Sequence, residues 1–116
     1  MILNNKNIAI IKKLKKNNSI VMCHGVFDVL HYGHITHFEE AKKNGDILIV
    51  SITDDKFVNK GPNRPMFDSS IRAKSILALK VVDYVIVSKD FDCINTLRQI
   101  KPNFFAKDIE YINKKH

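Results

Sequence analysis

Three apolar, β-branched runs constrain this chain more than any other feature. SIVMC (19–23), DILIVSIT (46–53) and VVDYVIV (81–87) carry few polar residues, and NFFA (103–106) is a shorter fourth. A strand with one wet face alternates apolar and polar residues, whereas a strand covered on both faces does not. Helical periodicity fills the gaps. Between Asn5 and Asn18, the apolar residues Ile8, Ile11 and Leu14 recur at three-residue steps among lysines. From His34 to Asn44, Ile35, Phe38 and Ala41 share a face, and Gly45 supplies a C-terminal stop. Asp68 or Ser69 caps a helix running to about Lys80, with Ile71, Leu77 and Leu79 among its buried residues. Phe91 to Ile100 forms the last helix, ended by Pro102. The order α-β-α-β-α-β-α-β predicts an α/β fold: a Rossmann-like, doubly wound parallel sheet of about four to five strands with helices on both faces. The 116 residues make a single domain.

Composition narrows the classes further. No apolar run approaches the ~18 residues needed to cross a bilayer, and the N-terminus lacks the apolar core of an export signal. Cys23 and Cys93 form no CxxC pair and no disulfide framework; they read as buried small apolar residues of a reduced, cytoplasmic protein. The net charge is +7, but 16 of the 19 basic residues are lysine, and five of them (Lys6, Lys12, Lys13, Lys15, Lys16) precede the first acid, Asp28. With no Arg-rich stripe and no interleaved aromatic row, nucleic-acid binding ranks well behind a solvated surface or a phosphate-attracting field.

Open parallel sheets bind ligands beyond the carboxyl ends of their strands, where strand order reverses. The first β-to-α junction is therefore the place to look, and it reads His24-Gly25-Val26-Phe27-Asp28-Val29-Leu30-His31-Tyr32-Gly33-His34. Gly33 has no Cβ to bar a ligand from the backbone, and Gly25 lets the other side of the loop fold over the same pocket. The N-terminus of the following helix is expected to offer unpaired N–H groups to an anion. His31 and His34 add side-chain donors at the same spot, making a phosphate cradle without a Walker sequence. A metal site built from His31, His34 and His37 is the competing reading. The first two flank a loop glycine and no nearby cysteine completes a zinc set, so no metal is assigned. His37 is expected on a solvated helix face, and His24 reads equally as a satisfied histidine at a strand end. Asp54, just past the second strand, either caps the next helix or faces the ligand.

The decapeptide GVFDVLHYGH (25–34) resembles the GxFDxxHxGH signature of the cytidylyltransferase-like nucleotidyltransferases. The resemblance continues through AKKNGD (41–46), LIVSITDD (48–55), KGPNRP (60–65), Arg72 and VDYVIV (82–87). It is nearest the members acting on small sugar and polyol phosphates, such as glycerol-3-phosphate cytidylyltransferases and heptose-phosphate adenylyltransferase domains. The resemblance implies transfer of a nucleotidyl group from CTP or ATP, with Mg²⁺, to a phosphorylated sugar or polyol, releasing pyrophosphate. It gives His31 and His34 the role of triphosphate donors, and Lys42 and Arg72 that of phosphate-neutralising cations. Lys60 and Arg64 are loop cations for substrate, Asp28 shapes the loop, and Gly25, Val26, Phe27 and Gly33 line the nucleotide pocket.

Two departures accompany the resemblance. Asp108 stands where the family's last turn has glycine, and the Ser/Thr-rich motif and final helix are not expected within these 116 residues. A non-catalytic or truncated nucleotide-binding or dimerisation module of the same fold is therefore the alternative, and a homodimer is left open as the assembly.

Overall fold

The computed structural model describes residues 1–58, 64–90 and 92–106. Five strands form one parallel sheet in the order β1-β4-β3-β2-β5. They are β1 (Ile2–Leu3), β2 (Ile20–Gly25), β3 (Ile47–Thr53), β4 (Tyr84–Ser88) and β5 (Phe104–Ala106). From β2 the chain steps outward through β3 to β4, then crosses back to place β5 on the other flank of β2. Strand order reverses at β2, so the carboxyl end of β2 is the switch point the topology offers to a ligand.

The apolar runs are continuous because each strand feeds two cores. Val21 and Cys23 of β2, Leu48, Val50 and Ile52 of β3, and Val85 of β4 pack on one face with α2 (Tyr32–Lys42) and α3 (Ser69–Leu77). Ile20 and Met22, Ile49 and Ile86 face the other way, against α1 (Ala9–Leu14) and α4 (Ile94–Ile100). Period-two alternation thus persists, but between two interiors instead of interior and water. Among the described residues no helix is long and apolar enough to cross a membrane.

Several boundaries differ from the sequence expectation, each for a local reason. β1 is a two-residue edge strand paired with β4, too short to show any periodicity. The first helix begins later than Asn5 because the Asn4 and Asn7 side chains bond the backbone of 4–7 into a turn. Residues 81–83 are not strand: Asp83 instead bonds across to Leu48 at the start of β3. On α3 the buried face is Arg72, Ala73 and Ile76, while Ile71, expected inside, is 48% exposed. Asp68 is the N-cap, accepting from the Ile71 amide at 2.9 Å. His37, expected in solvent, is buried beside Phe38.

Gly45 ends α2 for a different reason from the one its sequence position suggests. A Cβ there would meet Val21 Cγ2 at 2.6 Å and the Ser19 carbonyl oxygen at 3.2 Å. Close approach to β2, not a left-handed backbone, is what requires glycine. Gly45→Ala is expected to lower stability by about 1–3 kcal/mol through overpacking, read as a lower denaturant midpoint at unchanged slope.

Candidate active site

The loop leaving β2 turns sharply at Phe27, a non-glycine residue with φ +49°. Its ring folds back and is buried over Gly25, where a Cβ would meet Phe27 Cζ at 2.7 Å. Gly25 therefore makes room for an aromatic side chain and not for a phosphate. The same ring sits edge-on to His34, with centroids 5.3 Å apart and planes at 89°, and edge-on to Phe38 at 5.1 Å. Phe27 is thus the support on which His34 rests, with its own side chain inside the core.

His31 is the N-cap of α2. Its Nδ1 accepts from the Gly33 amide at 3.0 Å, and His34 Nδ1 accepts from the His31 amide at 3.3 Å. This is a reciprocal capping box made of two imidazoles, in place of the usual hydroxyl and carboxamide. The rings lie together with centroids 3.9 Å apart and planes inclined by 32°. A ring nitrogen that accepts an N–H carries no proton of its own, so both neutral rings hold theirs on Nε2. The cap consequently fixes two Nε2–H donors side by side.

The same bonds correct the expectation of unpaired amides. The Gly33 amide is spent on His31, and the His34 and Ile35 amides donate to the His31 carbonyl. At this end of α2 the amides are thus taken up within the cap, and the two imidazoles lie beside them.

Asp28 is 8% exposed at its side chain and binds the segment before α3. It accepts from the Met66 amide at 2.7 Å, the Phe67 amide at 2.9 Å and Arg64 Nη1 at 3.1 Å. Burial alone would raise this carboxyl; the two amides and Arg64 outweigh it and hold it below the usual carboxylate range. Asp28 and Arg64 thus hold each other, and Asp28 ties the loop after β2 to the segment before α3. Asp54 caps the 3-10 turn Asp55–Phe57 through the Lys56 amide and pairs with Lys89 at 3.2 Å. Burial again pushes upward, and Lys89 with the Lys56 amide brings the carboxyl net below its usual range.

Arg72, expected to meet phosphates, is instead 1% exposed, and each of its three nitrogens donates to a protein oxygen. Nε donates to the Phe67 carbonyl at 2.9 Å, Nη1 to the Val26 carbonyl at 2.9 Å and Nη2 to Asp55 Oδ1 at 2.6 Å. Lys42 is the clearest correction. It lies eight residues past His34, about 12 Å along α2 at ~1.5 Å per residue, and its ammonium pairs with Asp83. Asp83 also accepts from the Leu48 amide at 2.8 Å, at the amino ends of β3 and β4. Lys42 therefore belongs to the edge of the sheet opposite the histidines. Lys60 and Asp108 lie outside the described residues.

His24, at the end of β2, bonds across to β3: its Nδ1 meets Ser51 Oγ at 2.9 Å and its Nε2 meets Thr53 Oγ1 at 3.4 Å. Cys23 is buried in β2, which pushes its thiol up to about 12 and leaves it unreactive at neutral pH. Lys89, at the carboxyl end of β4, escaped the sequence reading; its only signal is a cation directly after a buried strand.

A parallel α/β domain with paired imidazole donors at its switch point has the construction of a nucleotidyltransferase. Comparison with known proteins agrees: the cytidylyltransferase-like profile matches residues 22–115, and the chain belongs to that family. The bifunctional protein HldE of Campylobacter fetus subsp. fetus is 37% identical over 103 residues, covering 87% of this chain and 22% of that protein. HldE of Pseudomonas entomophila is 42% identical over 97 residues, 82% of this chain and 20% of the relative. The chain thus spans about a fifth of the length of these relatives. Among solved structures, a lipopolysaccharide core biosynthesis protein from Thermoplasma volcanium superposes with a TM-score of 0.71 at 34% identity, covering 85% of this chain and 86% of that one.

Two outcomes check the geometry. In ¹⁵N spectra, His31 and His34 are expected to show the neutral Nε2–H tautomer; an Nδ1–H signal from either would contradict the reciprocal cap. Because Asp28 is held below its unfolded value, its contribution is full above the ordinary carboxylate range, about pH 4, and is lost as pH falls through the lower folded value. Asp28→Asn should therefore cost about 1–3 kcal/mol at neutral pH and flatten the acid limb of stability against pH, followed by denaturant unfolding.

Proposed function

We propose that the domain transfers a nucleotidyl group from CTP or ATP to a small sugar- or polyol-phosphate and releases pyrophosphate. The observation that supports it most is the histidine cap, which holds the His31 and His34 rings together at the switch point with centroids 3.9 Å apart. A phosphomonoester carries ~1.5–2 negative charges at neutral pH, so it attacks without a general base. Its oxygen bonds to the α-phosphorus of the triphosphate as the bond to the pyrophosphate oxygen breaks, and the electron pair leaves with pyrophosphate. What the protein must supply is positioning, together with donors for charge gathering on the α-phosphate and the leaving group. His31 and His34 fill that role as neutral donors, adding no charge that would have to be stripped of water.

The described carboxylates of this edge do not build a magnesium cage. Asp28 is held by Met66, Phe67 and Arg64, Asp54 by Lys89 and the Lys56 amide, and Asp55 by Arg72. Mg²⁺ would accordingly enter with the triphosphate as its counter-ion. The sugar-phosphate acceptor is favoured by the family members the sequence resembles and by the neighbour named for lipopolysaccharide core biosynthesis. Two free, buried cysteines suit a reducing cytoplasm.

Calorimetry with CTP and with ATP, each with Mg²⁺, should show binding of one of them, and a panel of sugar and polyol phosphates should elicit pyrophosphate. Binding without release against any acceptor would identify the non-catalytic module instead, and no binding of either triphosphate would overturn both readings. His34→Ala should lower turnover about 10²–10³-fold. Lys42→Met, at the far edge of the sheet, should leave turnover within about threefold.

A further inference from the structure

We propose that Arg72 is a positioning residue for the histidine pair, acting through the Val26 carbonyl and the Phe27 ring without touching a phosphate. The inference rests on the proposed function only for its kinetic arm. Arg72 is the largest fully buried side chain among the described residues, on the inward face of α3. Its three donor groups reach three separate segments of the ligand edge: Val26 in the loop after β2, Asp55 in the turn after β3, and Phe67 just before α3. A planar guanidinium offers this fork of donors at fixed angles, and an ammonium does not.

The Val26 bond is the one that bears on the site. The peptide plane carrying that carbonyl also carries the Phe27 nitrogen, so its tilt helps set φ at Phe27, which stands at +49°. The Phe27 ring in turn meets His34 edge-on, and His34 completes the cap of α2 by accepting from the His31 amide. Rotation of that plane toward an ordinary extended backbone would swing the Phe27 ring from beneath His34. A second tie closes the same ring of contacts: Asp28, one residue further on, holds the Met66 and Phe67 amides, while the Phe67 carbonyl holds Arg72. Loop and α3 are therefore clamped at both ends of Phe27. A cavity of about 210 Å³ between them has Arg72 in its lining together with loop residues that include Phe27, Asp28, Val29 and Leu30.

The alternative, a phosphate-binding arginine, makes the opposite kinetic prediction. Arg72→Lys keeps the charge but satisfies fewer of the three acceptors. If Arg72 positions, this variant should hold KM for the triphosphate within about threefold while kcat falls roughly 10–100-fold, the cost of a small misplacement of reacting groups. The His34 ring ¹⁵N signals and the Gly33 amide should shift even without nucleotide. Asp55→Asn perturbs the same guanidinium more gently and should move the same signals in the same direction by less, which keeps the test open should Arg72→Lys fail to fold. Unmoved His34 and Gly33 signals in the folded variants, or a rise in KM with kcat retained, would overturn the proposal. The spectral arm needs no turnover, so an inactive wild-type chain would count against the proposed function and leave this test standing.

Discussion

The site depends on one residue being held in an unfavourable backbone conformation. A left-handed non-glycine residue costs about 1–2 kcal/mol, and Phe27 adopts that state at the carboxyl end of β2. Burial of a phenylalanine ring contributes about 1.5–3 kcal/mol, so packing over Gly25 and against Phe38 offsets the strain. The margin is small, and the hydrogen bonds flanking the turn, Arg72 to Val26 and Asp28 to Met66 and Phe67, supply the rest of the constraint. Without the glycine at 25 the ring has nowhere to lie, and without the ring His34 loses its support. Sequence, strain and site are joined at this turn.

The polar groups around the turn form a closed set. Asp28, Asp54 and Asp55 at this edge are each paired with a cation, so a triphosphate would meet these three acids with their charge offset. Among the described residues, the proposed donors to it are the imidazoles of His31 and His34, dipolar and not ionic. A neutral donor in a partly dry site costs less to desolvate than an ammonium, and its orientation is fixed by the bond at the other ring nitrogen. Here that bond is the helix cap, so one pair of contacts both starts α2 and sets the tautomer at the site.

The features legible in the sequence were those with a period or a spacing. Unbroken apolar runs gave the doubly covered strands, and the two histidines around Gly33 marked the junction. What stayed hidden was governed by contacts between distant residues. A histidine cap is invisible to rules that expect Ser, Thr, Asp or Asn, and the sequence cannot show which amides it consumes. The buried face of α3 was placed on Ile71 and not on Arg72, because an arginine is not expected inside until the carbonyls that receive it are known. Gly45 reads as a helix stop, while the Val21 methyl that excludes any side chain there is 24 positions away. The position of Lys42 was different: the helix rise alone, taken from His34, separates it from the histidines.

That distance bears on how the positive charge of the chain should be understood. Five lysines lie on or beside α1, which packs on the face of the sheet away from α2. The sheet lies between α1 and α2, and exposed charges farther apart than about 8 Å are largely screened at physiological salt. Their field can raise the rate at which an anion arrives, but it cannot stabilise charge at a reacting phosphorus, which needs donors within hydrogen-bonding reach. Net charge and catalytic charge are thus separate properties here. In the proposed mechanism the second rests on two imidazoles placed beside a turn, a ring and a buried guanidinium.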